Sequence, residues 1–535
     1  MSFDWTNPYP TVRSPVFARN VVATSEPLGA SAGLRMLLKG GNAVDAAIAT
    51  AAAMTVVEPV SNGLGSDNFA IVWDGTQLHA LNSSGTAPAA WTPDYFSRRH
   101  AGKIPQRGWD SVSIPGAVAG WVALSQRFGK LPFADLLEPA IELAERGYAL
   151  GPITADKWVR QVPLLQSEPG FAEAFMPRGR APATGEHFRF AAAGATLRRI
   201  AQTRGEAFYR GEIAAAIAAH SAAHGGSMTA ADLAGYAPLW VTPIQKDFAG
   251  HTVHEIPPNG QGIAALMAMG MLERLDFKRF AVDSVEAQHL MIETMKVAFA
   301  DVYRWVGDER AMTQVTPADL LSDGYLAERA RLIRLDRAQD FGHGTPPKGG
   351  TIYLSTADES GMMVSLIQSN YMGFGSGVVV PGIGVSLQNR GAGFTTEAGH
   401  QNLVAPGKRP FHTIIPGFLT KDGKPQMSFG VMGGNMQPQA HLQTLTRMLH
   451  YGQQPQAACD APRWKVATGR VIDCEHTMSP ALVQGLRERG HDIVAQPDSY
   501  MDYGSGQFIW RLSDAADHGY VAASDSRRDG QAIGF

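Results

Sequence analysis

The chain has 535 residues, 44% of them hydrophobic and 18% charged, which fits a globular protein of roughly three to four domains, or fewer large ones. Lys and Arg total 46 against 49 Asp and Glu, so no global field draws the chain to nucleic acid or to an anionic membrane, and neither partner is expected. Two cysteines, Cys459 and Cys474, exclude a disulfide scaffold and a Cys-rich zinc module. The polar N-terminus lacks a signal-peptide core, and the longest apolar stretch, Ala43–Val57, carries Asp45 and is too short for a bilayer, so a cytoplasmic protein is expected.

Residues 20–24 (NVVAT) predict a strand. A helix follows over 25–38, with Ser25 as N-cap and Gly40-Gly41 ending it. A second, Ala-rich helix over 43–55 suits close packing against a sheet. Residues 69–73 and 77–81 form a hairpin around Asp74-Gly75. Apolar residues at helical spacing predict helices over 116–128, 134–147, 211–224, 262–275 and 284–305. The stretch 341–350 (FGHGTPPKGG) reads as an exposed loop. A β-hairpin then starts abruptly at Thr351, over 351–358 and 362–369, turning at Glu359-Ser360-Gly361. Further strands are expected at 383–387, 412–419, 427–431, 508–512 and 519–523, with helices near 436–451 and 480–489. The fold class is α+β in layers, a sheet sandwich with helices outside.

No Walker A sequence, HExxH, CxxC or strand-following GxGxxG occurs, so neither a cofactor nor a metal is expected. Gly373-Phe374-Gly375-Ser376-Gly377 is glycine-rich but opens no helix. Gly29-Ala30-Ser31-Ala32-Gly33 fits GxSxG, yet a nucleophile elbow needs a strand running straight into the turn. Ser31 falls inside a helix already begun at Ser25-Glu26-Pro27, where small residues permit close helix packing. His412 and His441 are read as structural histidines, no metal-ligand spacing emerging around them.

Thr351 follows Gly349-Gly350 and opens a strand. If the 350–351 bond were cut, Thr351 would carry a hydroxyl and its own α-amine, which titrates near pH ~8 and can take the hydroxyl proton without a histidine. An ordinary strand-initiating threonine would look the same locally. The downstream residues decide between the two readings. From Thr351 to Gly377 the chain resembles the start of the small subunit in the gamma-glutamyltranspeptidase family of N-terminal-nucleophile hydrolases. Further matches are 41–47 (GNAVDAA), 114–120 (IPGAVAG), Phe374-Gly375-Ser376-Gly377, Lys408-Arg409-Pro410, Gly433-Gly434 and Asp460-Ala461-Pro462-Arg463. They keep the family's order over nearly the whole chain.

The resemblance implies a four-layer αββα sandwich, made as one precursor and cut by itself between Gly350 and Thr351. Residues 1–350 would form the large subunit and 351–535 the small one, intertwined in one domain, with pairs of subunits free to dimerise. It implies Thr351 as nucleophile and general base, Ser369 as a second hydroxyl bonded to it, and the backbone N–H groups of Gly433 and Gly434 as the oxyanion hole.

The chain departs from the transpeptidases where they hold the glutamyl α-groups. Their carboxylate-binding Arg is missing from 82–86 (NSSGT), ahead of Ala87-Pro88. Their Asn-Gln/Glu pair and following Asp become Asn389-Arg390 and Gly393. Their Ser-Ser pair becomes His412-Thr413, and the short stretch from Phe394 to Lys408 leaves no room for a lid loop. None of these residues would neutralise a substrate ammonium, whereas an arginine offers two-pronged recognition of a carboxylate. Arg390, with His412 and Thr413, therefore points either to a small amide bearing an acid group and no α-amine, or to a structural ion pair. The pattern resembles the oxamate amidohydrolase and glutaryl-cephalosporin acylase branch. The alternatives are a gamma-glutamyl hydrolase using other residues and an unprocessed, non-catalytic homologue.

Overall fold

The computed structural model describes residue 4 and residues 6–341, 350–496, 503–512 and 519–535. Most of the loop expected at 341–350 thus lies outside the described residues.

Two seven-stranded antiparallel sheets carry the core. The first runs Gln531–Gly534, Val21–Thr24, Gly350–Ala357, Met363–Tyr371, Asp67–Trp73, Leu78–Ser83, Leu239–Val241. The second runs Val16–Ala18, Tyr520–Ser524, Ser505–Arg511, Lys424–Met432, Gly417–Lys421, His251–Glu255, Ile244–Phe248. The alternation of side chains along each strand sorts their residues into three apolar layers. In the Thr351 strand, Ile352 and Leu354 pack with the helices outside the first sheet, while Tyr353 and Ala357 face the second sheet. Phe429 and Val431 of the second sheet turn away from that interface toward the helices Gly262–Leu272, Val285–Trp305 and Met436–Leu449. Helix, sheet, sheet, helix is the expected αββα sandwich.

The Ala-rich helix Ala43–Val57 is buried at every residue. A reciprocal cap starts it: Asn42 Oδ1 accepts from the Asp45 amide and Asp45 Oδ2 from the Asn42 amide, both at 3.0 Å. Its neighbour Pro27–Leu38 lies so close that a Cβ on Gly33 would come within 2.3 Å of Thr50 Oγ1, and one on Gly29 within 2.4 Å of Met54 Sδ. The GxSxG glycines are thus packing residues. Ser31 lies inside the helix, its hydroxyl donating to the Pro27 carbonyl at 3.0 Å. The helix cap is Glu26 and not Ser25: Glu26 Oε2 accepts from the amides of Leu28 and Gly29, while the Ser25 hydroxyl donates to buried Glu58.

The 351/362 hairpin forms as expected, its turn carried by Gly361 at φ +90°. The strand expected at 412–419 starts only at Gly417, because residues 412–415 spend their polar groups on side chains of other segments. The segment 383–387 forms a strand only over Val385–Ser386, with Leu387 adding a lone bridge to Gly65. The largely helical middle also holds three sheet strands, Leu239–Val241, Ile244–Phe248 and His251–Glu255, that no alternation announced. No helix among the described residues is long and apolar enough to cross a membrane.

Candidate active site

Thr351 is the second residue of its strand, 1% exposed, in a bulge where the pairing with the next strand slips between Gly350 and Ile352. Its Oγ1 lies 3.1 Å from Ser369 Oγ, 18 residues on in the same hairpin. Ser369 Oγ also accepts the Tyr371 amide at 2.8 Å. Tyr371, paired opposite Gly350, sits at φ +78°, a conformation that costs a non-glycine residue on the order of 1–3 kcal/mol and collects at functional sites.

Contacts between the sheets fix what meets this strand end. Ser355 bonds Ser428 across the interface, and two residues along each strand the Tyr353 ring fills the space over Gly430. Continuing that step brings Thr351 to the end of Lys424–Met432, where Gly433 and Gly434 turn the chain into the helix Met436–Leu449. Their φ values of +122° and +62° suit glycine, and a Cβ on Gly433 would lie 2.9 Å from Gly504 Cα. Their carbonyls accept from the Met436 and Gln437 amides. Gln261 Nε2 ties the Gly434 carbonyl (2.9 Å) to the Thr413 carbonyl (2.6 Å), so one buried amide holds the glycine turn against the 412–415 segment.

Arg390 is fully buried and opens the short turn Arg390–Gly393. Nη1 donates to Thr413 Oγ1 at 2.9 Å, and the guanidinium carbon lies 4.1 Å from the centre of the Tyr371 ring. Nε and Nη2 have no partner, and Arg390 makes no salt bridge among the described residues, so the structural ion pair is not what holds it. Burial lowers its pKa to about 10. Three short contacts therefore link Thr351 to Arg390, through Ser369 and Tyr371.

His412 completes the group. Its Nδ1 accepts the Ile414 amide at 3.3 Å, which leaves Nε2–H to donate to Asp67 Oδ2 at 3.1 Å. Burial, with Arg390 close by, keeps the ring well below its ordinary pKa, so it stays neutral. Asp67 Oδ1 accepts the Gly85 amide at 3.0 Å, and burial raises this carboxyl to about 7. The segment that lacks the transpeptidase arginine is wired into the same place: Asn259 bonds Asn82, Ser84 and the Pro410 carbonyl, and Arg409 Nε donates to the Ser84 carbonyl.

Short contacts thus run from Thr351 through Ser369, Tyr371 and Arg390 to Thr413, beside His412, and Gln261 ties Thr413 to the Gly433-Gly434 turn, while Asp67, Tyr371 and Gln261 escaped notice. Asp67 and Gln261 stand in runs with no spacing of their own, and the Tyr371 backbone leaves no trace in its side chain. His441 is structural, its Nδ1–H donating to Glu255 Oε1 at 2.7 Å and its Nε2 accepting the Val431 amide. Elsewhere His289, Glu293 and His491 bring potential metal-ligating atoms within 4.8 Å, but the two imidazoles bond each other at 2.8 Å and Glu293 pairs with Lys296.

An αββα sandwich with a hydroxyl residue opening a central strand belongs to the amide hydrolases of the N-terminal-nucleophile type. The family model for gamma-glutamyltranspeptidase matches residues 29–535, and the chain belongs to that family. Over 98% of its length it is 34% identical to the whole of a glutathione hydrolase-like proenzyme (YwrD) of Bacillus subtilis. It is 33% identical, over 98% of its length and 99% of the relative's, to the oxamate amidohydrolase proenzyme of Klebsiella pneumoniae. The solved structure of a cephalosporin acylase from Bacillus halodurans superposes with a TM-score of 0.94 at 45% identity, covering 100% of this chain and 99% of that one.

Proposed function

We propose that the chain is a self-processing amidohydrolase acting on a small amide that carries a carboxylate, oxamate-like or glutaryl-amide-like. The observation that carries this reading is the buried Arg390 guanidinium, which keeps two donor nitrogens, Nε and Nη2, without an acceptor next to Tyr371, two residues beyond Ser369. A buried charge left open is costly unless something fills it, and a substrate carboxylate supplies the missing acceptor.

In processing, Thr351 Oγ attacks the Gly350 carbonyl carbon and the acyl group moves from nitrogen to oxygen. Water then splits the ester, leaving a carboxylate on Gly350 and a free amine on Thr351. In turnover the amine takes the hydroxyl proton, Oγ attacks the substrate carbonyl, and the proton passes to the leaving amine. Water hydrolyses the acyl-threonine and releases the acid. The amides of Gly433 and Gly434 stabilise the oxyanion, and Ser369 keeps the hydroxyl oriented. Arg390 grips the substrate acid, with Thr413 and His412 fixing its position. The products of processing, residues 1–350 and 351–535, stay interleaved because both sheets draw strands from each side of the cut. Proenzymes among the relatives support the processing step.

Asp67 favours a second reading, a gamma-glutamyl hydrolase in which this carboxyl meets an α-ammonium beside Arg390. Two anilides that differ only in the α-amine, glutaryl and gamma-glutamyl, separate the two. Turnover of the glutaryl compound at ten or more times the kcat/KM of the other is the expected result. The reverse preference would replace the first reading by the second.

A further inference from the structure

Asp67 is the carboxylate whose charge reaches Arg390, yet the two make no salt bridge. It opens the strand Asp67–Trp73 opposite Ser369, fully buried, with one oxygen on the Gly85 amide and the other on the His412 N–H. The charged and titratable groups around it can be named by element. Arg390 comes from its short turn, and Arg409 and His412 from the segment before Gly417–Lys421. Tyr209 of the helix Glu206–Arg210 and Tyr236 past the helix Ala230–Ala234 face it from the large helical region, both phenols held protonated by burial. Arg409 is spent on the carbonyls of Ser84 and Ala237. One open guanidinium therefore serves the pocket, and two carboxylates, the protein's and the substrate's, would share it.

We propose that Asp67 is a specificity-determining positioning residue that takes up a proton from solvent when a substrate carboxylate docks on Arg390, so that acidic amides bind together with one proton. This rests on the Arg390 reading above. Two carboxylates near one cation in a buried site cannot both stay ionised, and the one that loses its charge is the one already held by neutral donors. The free carboxyl titrates at about 7, so proton-linked binding falls across the neutral range. Affinity for an acid is then highest below that value and weakens by up to about tenfold per pH unit above it, until the pKa of the bound state is reached. A neutral amide carries no such dependence.

The test is calorimetric titration of the processed protein with glutarate at about pH 6.5, 7.5 and 8.5, each in two buffers of different ionisation enthalpy. Uptake of most of one proton per site near pH 7.5 is expected, with Kd rising at least about tenfold across the range. In Asp67→Asn the uptake should vanish and Kd should flatten. Uptake that persists unchanged in Asp67→Asn belongs to another group, such as the Thr351 amine, and overturns the inference. Binding of glutarate to the wild type without proton uptake also overturns it, and needs no variant. Failure of glutarate to bind at any pH, or binding undiminished in Arg390→Met, removes the anion site itself and the inference with it.

Discussion

Thr351 and Ser369 are 18 residues apart in one hairpin, whereas His412 and Asp67 meet across 345 residues and Arg390 joins them from a third segment. The Thr351 end is a product of local pairing: once the hairpin register is set, the two hydroxyls face each other. The Arg390 pocket has no local cause. It exists because Gln261 and Asn259 bind the carbonyls of distant segments, Asn259 joining the 82–86 segment to Pro410 and Gln261 joining Thr413 to the glycine turn. The first region can be altered by touching one hairpin; the second can be altered from any of several distant segments. The Thr351 end and the Arg390 pocket are thus built on supports of different kinds, and the chemistry and specificity proposed for them should fail separately.

The sharpest way to break that separation is Thr351→Ala. It should leave a single 57.3 kDa chain on a denaturing gel and no measurable amide turnover, while Ser31→Ala should spare both. A Thr351→Ala chain that still splits would move the nucleophile elsewhere. Next in size is Gly433→Ala. The added methyl meets Gly504 at 2.9 Å on a backbone at φ +122°, which pushes the amide out of place, and an oxyanion donor that no longer reaches costs about 10²–10³ in kcat. Steady-state kinetics with a glutaryl anilide should show the fall in kcat with KM little changed. A change confined to KM would take the glycine pair out of the oxyanion hole.

Arg390→Met should do the opposite. KM for the acidic amide rises about 10- to 100-fold, from the ~1.5–3 kcal/mol of a charged hydrogen bond. Processing continues, and the melting temperature is unchanged or higher, because an unpaired buried charge has been removed. Loss of stability together with activity would make Arg390 a structural residue after all.

The smallest effect concerns stability against pH. Burial raises Glu26 to about 8 in the folded protein. A carboxyl raised on folding binds its proton more tightly in the native state, so the stability it lends is present at low pH and is lost as pH rises toward 8. Glu26→Gln, which keeps a capping oxygen, should flatten the decline in denaturation free energy between about pH 6.5 and 8 by up to about 1.4 kcal/mol per pH unit. An unchanged slope would mean that Glu26 is ionised in the native state.

These expectations divide along the line between what was and was not legible in the chain. The hairpin at Thr351, the long amphipathic helices and the Ser31 helix follow from local rules, period, caps, turn residues and a loop that ends in a strand, whereas the glycine pair was legible only through the family resemblance. Those rules act within one turn or one hairpin, so they read without a partner. The strands Leu239–Val241, Ile244–Phe248 and His251–Glu255 escaped because they are short and lie at or next to sheet edges, with weak alternation. Residues 412–415 look like a strand and are not one, since their polar groups found better partners outside the sheet.

The sequence by itself determined the αββα layers, the threonine at the head of a strand and the family. It also determined that an arginine stands where the transpeptidases carry Gln or Glu. Only the tertiary structure decided what surrounds that arginine. Whether a guanidinium is a salt-bridge partner or an open anion site depends on which carboxylates lie within reach after folding. Asp67, the one whose charge reaches it, is held by His412 and Gly85 instead. Burial then sets the charge of both groups, because the cost of ionisation is fixed by the surrounding medium and not by the residue's place in the chain.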